Sequence, residues 1–189
     1  GSSGSRLISG NSTEAETTET WMADFFESES ALVFNSGYDA NLGFFSSVPQ
    51  RGDFIVYDEL IHASVRDGIR LSNAQSFSFK HNDCTDLIRK INRTTGTVFV
   101  AIESLYSMDG DIAPLAEIAE ICTQKNALLV VDEAHACGIF GAKGKGLCSE
   151  TGILKQTFAR IITFGKAYGT HGAAVLGASE LKSYLINFA

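Results

Sequence analysis

Two stretches of the chain, Thr97-Val-Phe-Val-Ala-Ile102 and Leu128-Leu-Val-Val131, are apolar without interruption. A strand of that kind has no polar face to offer water, so it suits the interior of a parallel sheet covered by helices on both sides. The rest of the chain falls into step with that constraint. Further strands are predicted at Phe54–Tyr57, Gln75–Phe79, Arg160–Phe164 and Ala173–Leu176, and Ala31–Phe34 is another short apolar run. Apolar residues at helical spacing predict helices over His62–Leu71, Asp83–Asn92 and Pro114–Lys125, the last with proline at its first position. Others are expected at Thr13–Ser28, where Thr13 and Glu16 have capping-box spacing, at Tyr38–Ser47, and from Glu180 onward. The fold class is α/β: a mostly parallel sheet sandwiched by helices.

With 189 residues, 44% of them hydrophobic, the chain amounts to one globular domain. Its 15 Lys and Arg stand against 22 Asp and Glu, a net charge of −7, which repels nucleic-acid phosphates and anionic membrane surfaces. No apolar run approaches the ~20 residues that span a bilayer. The four cysteines form neither a CxxC pair nor a disulfide framework, and read as small core residues of a reducing compartment, the cytoplasm. Arg51-Gly52-Asp53 reads as a turn into a strand.

In sheets of this class ligands sit beyond the carboxyl ends of the strands. Polar residues cluster just there: Ser36-Gly37, Asp58 to His62, Glu103 to Ser107, Asp132 to His135, and Thr163 to Lys166. Asp132-Glu-Ala-His135 spells a helicase box, but no phosphate loop of the form GxxxxGK[ST] precedes it. Nor does a second His/Cys cluster support a metal site, and no metal ligands are assigned. Asp132 and His135 could equally cap the next segment or pair with a buried cation. Lys166 follows an apolar strand and is surrounded by Gly165, Gly169 and Gly172, which allow close backbone approach to a ligand. A partly desolvated lysine loses its proton readily, as a Schiff-base nucleophile must. Ser36-Gly37-Tyr38 opens a helix and would favour a phosphate, or be a plain turn. His62 begins another helix. His81 lies in a loop with Asn82 or Asp83 as the cap of the following helix, and Ser179 with Lys182 matches an SxxK pattern shared by many surface helices.

Eight segments, in order, resemble the α-oxoamine synthases, pyridoxal-phosphate (PLP) enzymes of fold type I. They are Gly4-Ser-Arg-Leu-Ile-Ser-Gly10, Asn35-Ser-Gly-Tyr-Asp-Ala-Asn41, Asp58-Glu-Leu-Ile-His-Ala-Ser64, His81-Asn-Asp83, Ser107-Met-Asp-Gly-Asp111, Val131-Asp-Glu-Ala-His135, Gly144-Lys-Gly146 and Thr163-Phe-Gly-Lys166. The resemblance covers essentially the whole chain, and makes the Gly/Ser opening family-like sequence rather than a tag. It implies that Lys166 carries the cofactor and serves as base at the substrate α-carbon. Asp132 would pair with the pyridine nitrogen, and His62 would stack on the ring. Ser107 and His135 would lie near the phenolic oxygen, while Ser36, Gly37, Tyr38 and Thr163 would hold the phosphate. The implied reaction condenses a small amino acid with an acyl-CoA thioester, releasing CoA and carbon dioxide, in a homodimer. Gly172-Ala-Ala-Val-Leu176 and His81-Asn-Asp83 are most similar to the 8-amino-7-oxononanoate synthases of biotin synthesis, which use alanine. Other members of the family, an aminotransferase or lyase on the same fold, and a non-catalytic module are the alternatives. Glu133 departs from the aspartate usual in the group. Residues 1–189 are expected to form the PLP-binding large domain, without the family's N-terminal arm, its small C-terminal domain, or the arginine that would bind the substrate carboxylate.

Overall fold

A computed structural model describes residues 4–189; Gly1–Ser3, the start of the Gly/Ser opening, lie outside the described residues. In chain order the elements are α1 (Thr13–Phe25), β1 (Ser30–Phe34), α2 (Gly37–Ser47), β2 (Phe54–Asp58), α3 (Ala63–Leu71), β3 (Gln75–Phe79), α4 (Cys84–Ile91), β4 (Val98–Glu103), α5 (Leu115–Lys125), β5 (Leu128–Asp132), the single turn α6 (Leu147–Glu150), β6 (Thr157–Thr163), β7 (Ala173–Gly177) and α7 (Ser179–Phe188). The seven strands form one sheet in the order β1-β7-β6-β5-β4-β2-β3. β2 to β6 run parallel, while β7 is antiparallel to both of its neighbours, β6 and β1. Only the short Phe164–Gly172 loop separates β6 from β7. A parallel return needs a crossover of a dozen or more residues, so this loop can only reverse the chain.

The uninterrupted apolar strands are buried on both faces, as their composition requires. Val98, Val100 and Ile102 of β4, with Leu129 and Val131 of β5, pack on one side with Leu87 and Ile91 of α4 and Leu115 and Ile118 of α5. The residues between them, Phe99, Ala101 and Val130, pack on the other side with Phe44 and Phe45 of α2, Val65 and Ile69 of α3, and Leu181 and Leu185 of α7. A third cluster seats Met22, Ala23 and Phe26, at the end of α1, against Ile162 and Ala174.

Local details differ from expectation at element ends. α1 is capped by Ser12, whose Oγ accepts from the Ala15 N–H at 3.2 Å; the Thr13–Glu16 capping box does not form, and Glu16 instead accepts from Asn11 Nδ2. The helix stops at Phe25 rather than Ser28 because Glu27 turns to the left-handed region (φ 55°). Pro114 occupies the cap of α5 rather than its first turn. β6 begins at Thr157, ahead of the expected Arg160. Cys122, Cys137 and Cys148 are buried and Cys84 half-buried, all as free thiols.

Candidate active site

β2 and β4 are neighbours, yet the chain leaves β2 for the edge strand β3 and returns to β4 on the other side. This reversal opens a crevice at the carboxyl ends of the strands, where ligands bind in open α/β sheets. A solvent-open cavity of about 490 Å³, counting its mouth, lies there. Each flanking strand delivers a side chain to it: His62 after β2, Glu103 at the end of β4, Asp132 at the end of β5 with His135 beyond it, and Thr163 at the end of β6 with Lys166 beyond it. The start of α2 adds Gly37, Tyr38 and Asn41, and α3 adds Ser64.

Strand alternation decides which carboxylate enters. Asp132 continues the face of Val130, toward α2, and is nearly buried. Its Oδ2 accepts from Asn41 Nδ2 at 2.7 Å and its Oδ1 from the Ala134 N–H at 2.9 Å. Glu133 points to the opposite face, accepting from the Cys148 N–H at 2.9 Å and from Arg160 at 3.3 Å. Adjacent acids on opposite faces cannot act as a metal-holding pair.

A relay of hydrogen bonds extends from Asp132. Asn41 Nδ2 also donates to Ser64 Oγ at 3.0 Å, and Ser64 Oγ lies 2.7 Å from His62 Nδ1. That nitrogen also accepts the Ser64 N–H at 3.2 Å, which assigns the proton of the neutral ring to Nε2. Lys166 Nζ is 2.6 Å from His135 Nε2. Burial lowers the pKa of the Lys166 amine, opposed by the negative charges of Asp132 and Glu103. Burial also lowers that of His135, and the Lys166 charge adds to the effect. Burial, followed by repulsion from Asp132, pushes the Glu103 carboxyl up to about 8.

Of the residues proposed from sequence, Gly37, Tyr38, His62, Asp132, His135, Thr163 and Lys166 line this one cavity. Ser36 sits at its edge as the cap of α2, with its Oγ accepting from the Asp39 N–H at 3.0 Å. A Cβ on Gly37 would touch the Thr163 side chain at 3.4 Å, so the helix start and the end of β6 approach closely. Ser107 is not brought in: it stands on an exposed turn beyond β4 and is not among the lining residues. Asn41, Ser64 and Glu103 line the cavity without having been assigned roles. The signals were an asparagine inside the apolar stripe of α2 and an acid ending a continuously apolar strand.

Residues 1–189 match the family model of aminotransferase class I and II. An 8-amino-7-oxononanoate synthase of Emericella nidulans is 48% identical, the match covering 100% of this chain and 49% of that protein. A serine palmitoyltransferase variant from S. paucimobilis, solved with PLP and myriocin bound, superposes with a TM-score of 0.94 at 34% identity, covering 100% of this chain and 48% of that one. An 8-amino-7-oxononanoate synthase from Francisella tularensis superposes with a TM-score of 0.84 at 32% identity, covering 94% of this chain and 52% of that one. The chain thus spans about half the length of the proteins it matches. The sheet order and flanking helices are those of a fold-type-I PLP enzyme. The chain belongs to the aminotransferase class I and II family, in its α-oxoamine synthase branch.

Proposed function

We propose that residues 1–189 are the PLP-binding large domain of a C-acyltransferase. The reaction would condense a small amino acid, alanine favoured, with an acyl-CoA thioester, releasing CoA and carbon dioxide. The observation that carries this reading is one cavity holding a lysine amine of lowered basicity and a nearly buried carboxylate tied through Asn41 and Ser64 to His62. This donor set suits PLP: an amine for its aldehyde, a carboxylate for its ring nitrogen, an imidazole for its ring face, and a helix start for its phosphate.

When bound, PLP supplies an electron sink for charge developing at the substrate α-carbon. Lys166 Nζ would hold the aldehyde and later take the α-proton; burial keeps more of the amine unprotonated for both tasks. His135 Nε2 is placed to accept a hydrogen bond from that amine. Asp132 would keep a proton on the ring nitrogen, and the bond from Asn41 holds its carboxylate in place. The N–H groups at the start of α2, with Ser36 and Thr163, would take the phosphate. The open cavity also suits closure by a second copy of the chain, as in a cytoplasmic homodimer. Among the described residues no helix is long and apolar enough to cross a membrane.

The test is a visible spectrum of the chain with PLP, followed by borohydride reduction and peptide mapping. A Schiff-base band fixed to Lys166, and absent from Lys166→Ala, supports the reading; an unchanged band in that variant refutes it. CoA release on the relatives' full-length frame with alanine and a pimeloyl thioester would then select the proposed substrates. The close superposition on serine palmitoyltransferase favours one competing reading, and release only with serine and palmitoyl-CoA would establish it instead.

A further inference from the structure

The connection between β4 and α5 folds as a small hairpin. Leu105 bridges Ile112, the Tyr106 N–H donates to Asp111 O at 3.0 Å, and the Gly110 N–H donates to Tyr106 O at 3.0 Å. Ser107 stands on its turn. The hairpin is tied to the strand ends by His81, which has no part in the chemistry above. His81 Nδ1 lies 2.9 Å from Asp58 Oδ1, and Nε2 lies 2.6 Å from Asp111 Oδ2. A neutral imidazole has one N–H and one lone pair, so it can donate to only one of two carboxylates. Satisfying both takes the imidazolium.

The two carboxylates are not equivalent. Asp58 ends β2 with its side chain fully buried, and it also accepts the N–H groups of Leu60 and Asn82, each at 2.9 Å. The Asp111 side chain is 36% exposed, its Oδ1 has no hydrogen-bond partner, and its Oδ2 also accepts from Asn82 Nδ2 at 2.7 Å. An imidazole left with one N–H therefore stays with Asp58, where an unpaired charge costs most, and leaves Asp111 to the neutral Asn82 amide alone.

We propose that His81 is a positioning residue: as an imidazolium shared between Asp58 and Asp111, it docks the Leu105–Ile112 hairpin, and Ser107 with it, against the strand ends that carry His62 and Glu103. The proposal does not depend on the cofactor reading: it concerns only how the hairpin is held to the strand ends. The charged groups around the ring are Asp58, Asp111 and Glu59, which accepts the His81 backbone N–H at 3.1 Å, with Lys80 and Asp83 flanking in sequence. Tyr106 packs edge-on, 4.5 Å between centroids. Burial is the largest single influence and disfavours the charge, but the two carboxylates together outweigh it and hold the His81 pKa above its ordinary value. The charge-assisted bond to Asp111 is therefore fully present below the ordinary histidine value of about 6.5, and docking weakens as pH rises through the raised one.

The experiment uses the full chain without added cofactor. The His81 ring is titrated by NMR, and exchange protection of the Tyr106 and Gly110 amides, corrected for intrinsic rates, is measured across the same pH range. Protection is expected to fall about tenfold or more as His81 deprotonates, the scale of one charge-assisted hydrogen bond. His81→Gln, which keeps a donor but cannot become charged, removes the step. Asp111→Asn lowers the His81 midpoint and moves the step with it. A His81 midpoint at or below its ordinary value, protection indifferent to His81 ionisation, or an unmoved midpoint in Asp111→Asn overturns the proposal. A missing Lys166 band alongside an intact His81-coupled step supports this proposal and refutes only the cofactor reading.

Discussion

Replacing Asn41 with alanine tests the relay that joins Asp132 to His62. Asn41 is 2% exposed and donates two hydrogen bonds, one to the Asp132 carboxylate and one to Ser64 Oγ. A bond to a charged group contributes about 1.5–3 kcal/mol and a neutral one about 0.5–1.5 kcal/mol, so together they amount to about 2–4.5 kcal/mol. Against this, Asn41 Oδ1 is buried without a partner, and removing it relieves a desolvation cost of about 1–3 kcal/mol. The midpoints of the two ranges leave a loss of about 1 kcal/mol, or roughly 2–4 °C in Tm for a chain of this size. Thermal and urea unfolding of Asn41→Ala, Ser64→Ala and the double variant would measure the loss and its coupling. The double variant is expected to lose less than the sum of the singles, since both remove one shared bond. PLP binding should weaken in Asn41→Ala, because the carboxylate loses the donor that orients it. Unfolding within about 0.5 kcal/mol of the parent, with additive singles, would refute the relay as an energetic unit.

Two further outcomes follow from the buried groups. An unfolded glutamate ionises near about 4.3, whereas folded Glu103 stays protonated up to about 8. Between those values only the unfolded state gives up the proton, so this residue's contribution makes stability fall with rising pH, by at most about 1.4 kcal/mol per pH unit. Urea unfolding of Glu103→Gln without cofactor should lack that contribution and gain on the parent near the upper end of the window; identical pH slopes would refute the assignment. Gly146 has φ +98°, and a Cβ there would stand 2.6 Å from Glu133 Oε1, whereas Gly152 has φ +74° and nothing within 4 Å. Gly152→Ala should cost only the backbone strain, about 1–2 kcal/mol, while Gly146→Ala should cost clearly more because a buried, bonded carboxylate must also move. Equal melting temperatures for the two variants would contradict this.

Much of the architecture was legible in the sequence because burial leaves a local mark. The uninterrupted runs at β4 and β5 require cover on two faces whatever their neighbours are. Gln75–Phe79 begins and ends as β3 where its pattern and flanking polar residues place it. Polar residues just beyond apolar runs marked the strand ends, and the eight family-like segments supplied the roles proposed for Lys166, Asp132 and His62. Tertiary structure alone decided the rest, because it depends on contacts with no local signature. Asn41 and Asp132 are 91 residues apart, and only the packing of α2 over β5 makes them partners. Glu133 shares a motif with Asp132 yet serves the opposite face, tied to Arg160 and Cys148, because side chains alternate at a strand end. Ser107 shows the same limit from the other direction: its segment resembles the family's, but the hairpin holding Asp111 to His81 leaves that serine on an exposed turn. The sequence by itself determined which segments are strands and, to within a few residues, where they end, and hence most of the side chains that could reach a ligand. Strand order and the pairing of distant polar groups were decided only when the helices closed over both faces, since hydrophobic periodicity records that a face is buried but not what buries it.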